Sequence, residues 1–250
     1  MRMRLGKRAY RKEKIAGNVG GNFQQERKTV MSHDSPIAQE GVPFIISALL
    51  ITSVCIYLAR IWDSSFWTGA AVVFGVTAVW VVWFFRNPRR IPPADPAVVV
   101  SPCDGKVIRI ESLQDHELLP GPWQKISIFM NVFSVHVNRI PYDGIIEDIR
   151  YFPGKFLTAN LDKASTDNER NALILDLGKG ERMIVIQIAG LVARRIVCWV
   201  SKGKKVNKGE RFGMIRFGSR LDVFLPPRAG IRVRIGDRVR AGETPIGELP

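Results

Sequence analysis

Two uncharged runs constrain this chain more than any other feature. From Val42 to Ala59, and again from Phe66 to Phe85, there is no Asp, Glu, Lys or Arg. A helix needs roughly 17–25 apolar residues to cross a bilayer, and each run approaches that length. Core helices of soluble proteins seldom run so far without a charge, and that is the competing reading. Trp62, Trp67, Trp80, Trp83, Phe84 and Phe85 gather near the ends of the runs, as an interfacial aromatic belt does. Only Arg60–Ser65 joins them, so the runs form a hairpin with both outer ends on one side. Arg86, Arg89 and Arg90 follow the second run. Positive charge beside a span marks the cytoplasmic face, and the rest of the chain is expected there.

Four zones follow. Residues 1–41 are a basic polar tail; the first apolar run starts too late for a signal peptide, whose window is roughly 15–30 residues. Residues 42–85 are the hairpin, and 86–99 a Pro- and Arg-rich link. Residues 100–250 carry short β-branched runs punctuated by Gly and Pro, among them Lys106–Ile110, Lys125–Met130, Ala172–Asp176, Arg182–Ile188 and Asp222–Leu225. The fold class is therefore mainly β (α+β): a two-helix transmembrane hairpin, then a compact antiparallel β-barrel or sandwich. A helical piece is expected near Asn131–Val135 or Gly154–Leu161. Val206-Asn207-Lys208-Gly209-Glu210 echoes in Val239-Arg240-Ala241-Gly242-Glu243, and such paired turns are a lipoyl-like feature.

The net charge is +14. Zinc-finger spacing, an aromatic RNA-binding signature and a long basic helix are all missing, so nucleic acid is set aside as a partner. Beside two membrane spans, anionic lipid is the better one. Cys55, Cys103 and Cys198 lie far apart with no metal-ligand pairing, and read as reduced cytoplasmic residues.

Chemistry gathers at three places. Ser101-Pro102-Cys103-Asp104-Gly105 puts an acid in a Gly turn. His136 lies in an apolar stretch, and Phe217-Gly218-Ser219-Arg220 places a Ser after a Gly between strand-like runs. An acid, a base and a hydroxyl are the set that activates a weak nucleophile. Asp-Gly and Gly-Ser are also common turn pairs, and a lone His is more often structural, so composition leaves both readings open.

The segments Ser101–Lys106, Phe129–Gly144, Phe152–Arg170 and Phe217–Pro226, in that order behind an Arg-Asn-Pro link, resemble the short bacterial form of phosphatidylserine decarboxylase. The resemblance runs from about Phe85 to the C-terminus. It implies a proenzyme that cuts itself between Gly218 and Ser219 into chains 1–218 and 219–250, which stay together as a heterodimer. Ser219 then becomes a pyruvoyl group that takes up the substrate amine as a Schiff base. Phosphatidylserine loses CO2 to give phosphatidylethanolamine, at the bacterial inner membrane on its cytoplasmic side. Asp104 matches the family's triad acid, and His136 falls in its histidine segment. Longer members carry a second histidine three residues on, where this chain has Arg139, so that either His136 serves both cleavage and decarboxylation or another group assists cleavage. Arg139, Lys155, Arg170 and Arg194 are candidate contacts for substrate phosphate or carboxylate. Two alternatives remain: a membrane-tethered lipoyl-like adaptor without catalysis, and a decarboxylase for another serine phospholipid.

Overall fold

A computed structural model of the chain describes residues 35–156, 158, 167–190, 195–216 and 218–250. Helix α1 spans Val42–Trp62 and α2 spans Ser65–Phe84, with Asp63 in the left-handed conformation ending α1. Without charges or polar neighbours, such a segment must bond its own backbone, and a helix does so within one stretch. Its few hydroxyls do likewise: Thr52, Ser53, Thr68 and Thr77 each donate back to the carbonyl four residues earlier. The competing reading as core helices fails on burial. Leu50 is 62% exposed, Phe66 72% and Val79 71%, whereas a core helix hides such side chains. Both helices are long and apolar enough to cross a membrane.

The base of the hairpin is pinned. Ile37 bridges to Arg86, Ala38 N donates to Phe85 O at 2.8 Å, and Asn87 N donates to Pro36 O at 2.7 Å. Both outer ends therefore lie together. Ala38, Val81, Phe84 and Phe85 then pack against Val135, Val137 and Met214 of the β region.

After α2 the chain is antiparallel β. Its strands are β1 (Val98–Val100), β2 (Gly105–Leu113), β3 (Trp123–Met130), β4 (Val137–Arg139), β5 (Gly144–Phe152), β6 (Arg170–Gly178) and β7 (Glu181–Ala189), followed by β8 (Ile196–Cys198), β9 (Lys205–Val206), β10 (Arg211–Ile215), β11 (Ser219–Leu225), β12 (Gly230–Ile231), β13 (Arg238–Val239) and β14 (Pro245–Glu248). A large curled sheet runs β13-β2-β3-β11-β7-β6-β5-β9, with two small ones ordered β4-β10-β8 and β1-β14-β12. The main core lies on one face of the large sheet, with Ile128, Leu173, Val185 and Leu221 meeting Val99, Phe212, Ile215 and Ile246 of the small sheets. Ala172, Ile174, Ile186 and Phe224 form a second cluster with Trp123 and Leu118. Burial on both faces explains why β6, β7 and β11 read as nearly continuous apolar runs.

The echoed turns meet in space. Gly209 and Gly242 are both left-handed, at φ +80° and +73°, and a Cβ on Gly242 would sit 3.5 Å from Gly209 Cα. Gly209 N donates to Ile140 O at 2.8 Å, as Gly242 N does to Ser101 O at 2.7 Å. The helix expected near Asn131–Val135 is instead a turn, in which Asn131 Oδ1 accepts from the backbone N–H groups of Phe133 and Ser134. A short side chain that bonds its own following backbone offers an alternative to helix there. Half of the second segment, Gly154–Leu161, lies outside the described residues.

Candidate active site

Ser219 opens β11, paired with Met130 on β3 and Ala189 on β7. Alternation along the strand turns it to the main core with Leu221, Val223 and Leu225, and it has no exposed surface. Its Oγ lies 3.4 Å from Met130 Sδ. Gly218 before it has φ +65°, the left-handed region, and nothing stands within 4 Å of where its Cβ would be. A side chain would be strained there, and glycine is not. The approach is lined from β7: Asn168 Nδ2 donates to Ala189 O at 2.7 Å, and Ala189 N donates to Glu169 O at 2.9 Å.

His136 sits between the Asn131 turn and β4, wholly buried. Its Nδ1 is 2.9 Å from Ser134 O. A carbonyl only accepts, so Nδ1 carries the proton and Nε2 keeps its lone pair. Nε2 is buried without a hydrogen-bond partner among the described residues. Burial pulls the ring pKa down to about 3, against the raising effect of the Ser134 bond, with Arg86 lowering it further. The ring packs 4.2 Å from that of Phe84, at the end of α2. His136 O accepts from Ile215 N at 3.4 Å, tying the segment to the strand that leads into Gly218.

Asp104 is held elsewhere. Its Oδ1 accepts from Ala241 N at 2.8 Å and its Oδ2 from Arg90 Nη2 at 3.0 Å, while Arg90 Nη1 reaches Glu243 at 2.7 Å. With the chain continuous, Asp104, His136 and Ser219 make no hydrogen bond with one another among the described residues.

The expected substrate cations divide. Arg139 is buried, its Nη1 donating to Gly209 O at 2.7 Å and its Nη2 to Pro88 O at 2.8 Å. Burial, with Arg211 and Arg90 nearby, lowers its pKa to about 10. It thereby binds the Pro-rich link to one echoed turn. Arg170 donates to Glu117 at 2.9 Å and lies over Phe152 at 4.4 Å. Lys155 is exposed, its backbone bridging to Asn168. Arg194 lies outside the described residues. Sequence reasoning missed Arg216, whose guanidinium stands 5.4 Å over Phe44 at the start of α1, with its backbone N–H 3.5 Å from Arg195 O. It also missed Phe84 as a wall of the histidine, because an aromatic at the end of an apolar run reads as membrane belt.

Comparison with known proteins adds a family. The family model for phosphatidylserine decarboxylase matches residues 77–247. A protein of Syntrophus aciditrophicus (strain SB) named phosphatidylserine decarboxylase proenzyme is 53% identical over 218 residues, covering 87% of this chain and 99% of that protein. One of the same name from Geobacter metallireducens (strain ATCC 53774 / DSM 7210 / GS-15) is 49% identical over 218 residues, covering 87% and 98%. With a family match across most of the chain and relatives it spans nearly end to end, this chain belongs to the phosphatidylserine decarboxylase family.

Proposed function

We propose that the chain is a phosphatidylserine decarboxylase proenzyme that cuts itself between Gly218 and Ser219 and then removes CO2 from phosphatidylserine to give phosphatidylethanolamine. The junction carries this reading: a buried serine hydroxyl resting on a thioether, just after a left-handed glycine with open space beside it. A thioether is a weak acceptor, so the hydroxyl gives up little when it turns to react.

Ser219 Oγ would add to the Gly218 carbonyl carbon and the C–N bond would break, turning the peptide into an ester. His136 is our candidate for the proton acceptor, since its Nε2 keeps its lone pair at any ordinary pH. Loss of the Ser219 α-proton expels the ester as the Gly218 carboxylate. Water then replaces the nitrogen as ammonia, leaving a pyruvoyl group on Arg220. The site fits that group in being dry, because Ser219 has no exposed surface and its register partners Met130 and Ala189 are apolar and fully buried. A pyruvoyl group held there would supply a ketone for the substrate amine and a sink for the electron pair left by CO2. His136 is also our candidate for passing a proton to the carbon that loses CO2, taken up at Nε2 only during the reaction, and Phe84 packs against its ring. Asp104 acts at a distance in this reading, through the Arg90 clasp that fixes the link below the hairpin.

We place the hairpin in the bacterial inner membrane with the β region on the cytoplasmic side, on the strength of Arg86, Arg89 and Arg90 beside α2. The touching Gly209 and Gly242 turns support a lipoyl-like reading of the β region. Of the candidate cations, Arg139 and Arg170 hold protein partners, and the exposed Lys155 is the described one we assign to the headgroup.

Intact mass of the purified protein tests the reading. Two chains are expected, 1–218 and 219–250, the shorter bearing a ketone that reacts with hydroxylamine. Ser219→Ala should give one uncut, inactive chain. A folded wild type that stays whole and inactive sinks the proposal and leaves the adaptor.

A further inference from the structure

Three amide side chains lie in the core with no surface to serve. Asn138 and Gln187 have no exposed surface, and Asn171 has 3%. They form a row: Asn171 Nδ2 donates to Gln187 Oε1 at 3.0 Å, and Gln187 Nε2 donates to Asn138 Oδ1 at 2.8 Å. The row crosses between sheets, since Asn171 and Gln187 are register partners on β6 and β7 while Asn138 lies on β4. It crosses through a gap in β10. Gly213, the register partner of Asn138, would set a Cβ 3.1 Å from Gln187 Nε2.

Buried amides are costly unless bonded, and apolar side chains of the same shape can fill such a core at no greater cost. A row kept against that alternative needs an end worth reaching. It ends on Met130. Asn138 Nδ2 lies 3.7 Å from the sulfur, and Ser219 Oγ lies 3.4 Å from the same atom. Asn138 thus presents an oriented N–H donor, its oxygen already taken by Gln187, with only a weak acceptor to hold it among the described residues. That donor shares its resting place with the nucleophile.

We propose that Asn138 is the oxyanion donor of self-cleavage, aimed by Gln187 and Asn171 and resting on the Met130 sulfur until Ser219 reacts. The assignment rests on the reading that the chain cuts itself at this bond. As Ser219 Oγ bonds to the Gly218 carbonyl carbon, the π pair moves to oxygen and the hydroxyl proton passes to the base. Asn138 Nδ2–H turns from the thioether to that oxygen, gaining a charge-assisted bond for a weak one. The open side of Gly218 leaves the oxygen room to swing. The pair then returns to re-form the carbonyl, the C–N bond breaks, and the Ser219 nitrogen takes the proton. A donor held by a buried row before charge develops has little reorganising to do.

The full chain, synthesised into lipid nanodiscs and followed by intact mass as it matures, supplies the test. Asn138→Leu keeps the shape and should slow the appearance of chain 219–250 by about 10²–10³-fold, the usual loss for one oxyanion donor. Gln187→Leu, which removes the group that aims the donor, should slow it less. Asn138→Leu maturing as fast as the wild type overturns the proposal. If Asn138→Leu fails to fold, Asn138→Asp decides. A carboxyl donates only when protonated, so its maturation should quicken as pH falls; an Asp variant that follows the wild-type pH profile also overturns the proposal. A folded wild type that never matures refutes the function reading instead.

Discussion

At the scale of single residues, His136 makes the sharpest claim. In an unfolded chain its ring takes a proton near 6.5, and in the fold only near about 3. Between those values the unfolded state binds more protons, so stability is full above about 6.5 and drains away as pH falls toward 3. The uncut Ser219→Ala chain in mild detergent should therefore melt at a lower temperature as pH is taken from about 7 to about 4. Adding His136→Gln should flatten that slope, and an unchanged slope would place the acid sensitivity elsewhere. The candidates for reaction stood out in the sequence as residue types, an acid, a histidine and a serine in three separated segments. Their partners were not. Asp104 reads as the mate of His136 until Arg90 and Ala241 are seen to hold its two oxygens. Arg139 reads as a substrate cation until Gly209 and Pro88 take its guanidinium. A charged side chain's partner depends on long-range packing, which spacing does not record.

At the scale of elements, both apolar helices and the strongly apolar strands were legible, because runs without charge and runs of β-branched residues carry their own signal. The expected Lys125–Met130 and Arg182–Ile188 fall inside β3 and β7. Strand β4 was not legible. Val137-Asn138-Arg139 is three residues long with two polar side chains, and it is a strand only because β10 lies beside it. Strand β10 in turn depends on Gly213, where a Cβ would come within 2.3 Å of Val197 O across to β8. Gly213→Ala should force β8 away and press on the Gln187 amide. The expected loss is about 1–3 kcal/mol, the range for overpacking a filled core. Urea unfolding of the uncut Ser219→Ala chain with and without Gly213→Ala would measure it. Equal midpoints would mean that β8 yields freely and the small sheet is looser than its pairing implies.

At the scale of the whole molecule, the position of the proposed cut matters as much as its chemistry. Residues 219–250 supply β11, which lies between β3 and β7 in the middle of the large sheet. They also supply β12 and β14, which pair with each other, and β14 pairs with β1 at the start of the β region. Such pairings join residues as far apart as Val98 and Glu248, which is why the three-sheet arrangement could not be read from local pattern. Cleavage before Ser219 removes one peptide bond at the very start of β11 and leaves its ladder to both neighbours intact. Within that strand Leu221, Val223 and Leu225 have no exposed surface, and Arg220 is buried with its charge matched by Asp222 at 2.8 Å. Pulling the short chain out would expose all of this and open two unpaired strand edges in the large sheet. The two products should therefore run as one particle through size exclusion in mild detergent and separate only in denaturant. A short chain that washes away under native conditions would show that β11 loosens once cut. In that case the reactive end would not stay against Met130 and Ala189, and the proenzyme's continuity, rather than its packing, would be what holds the site together.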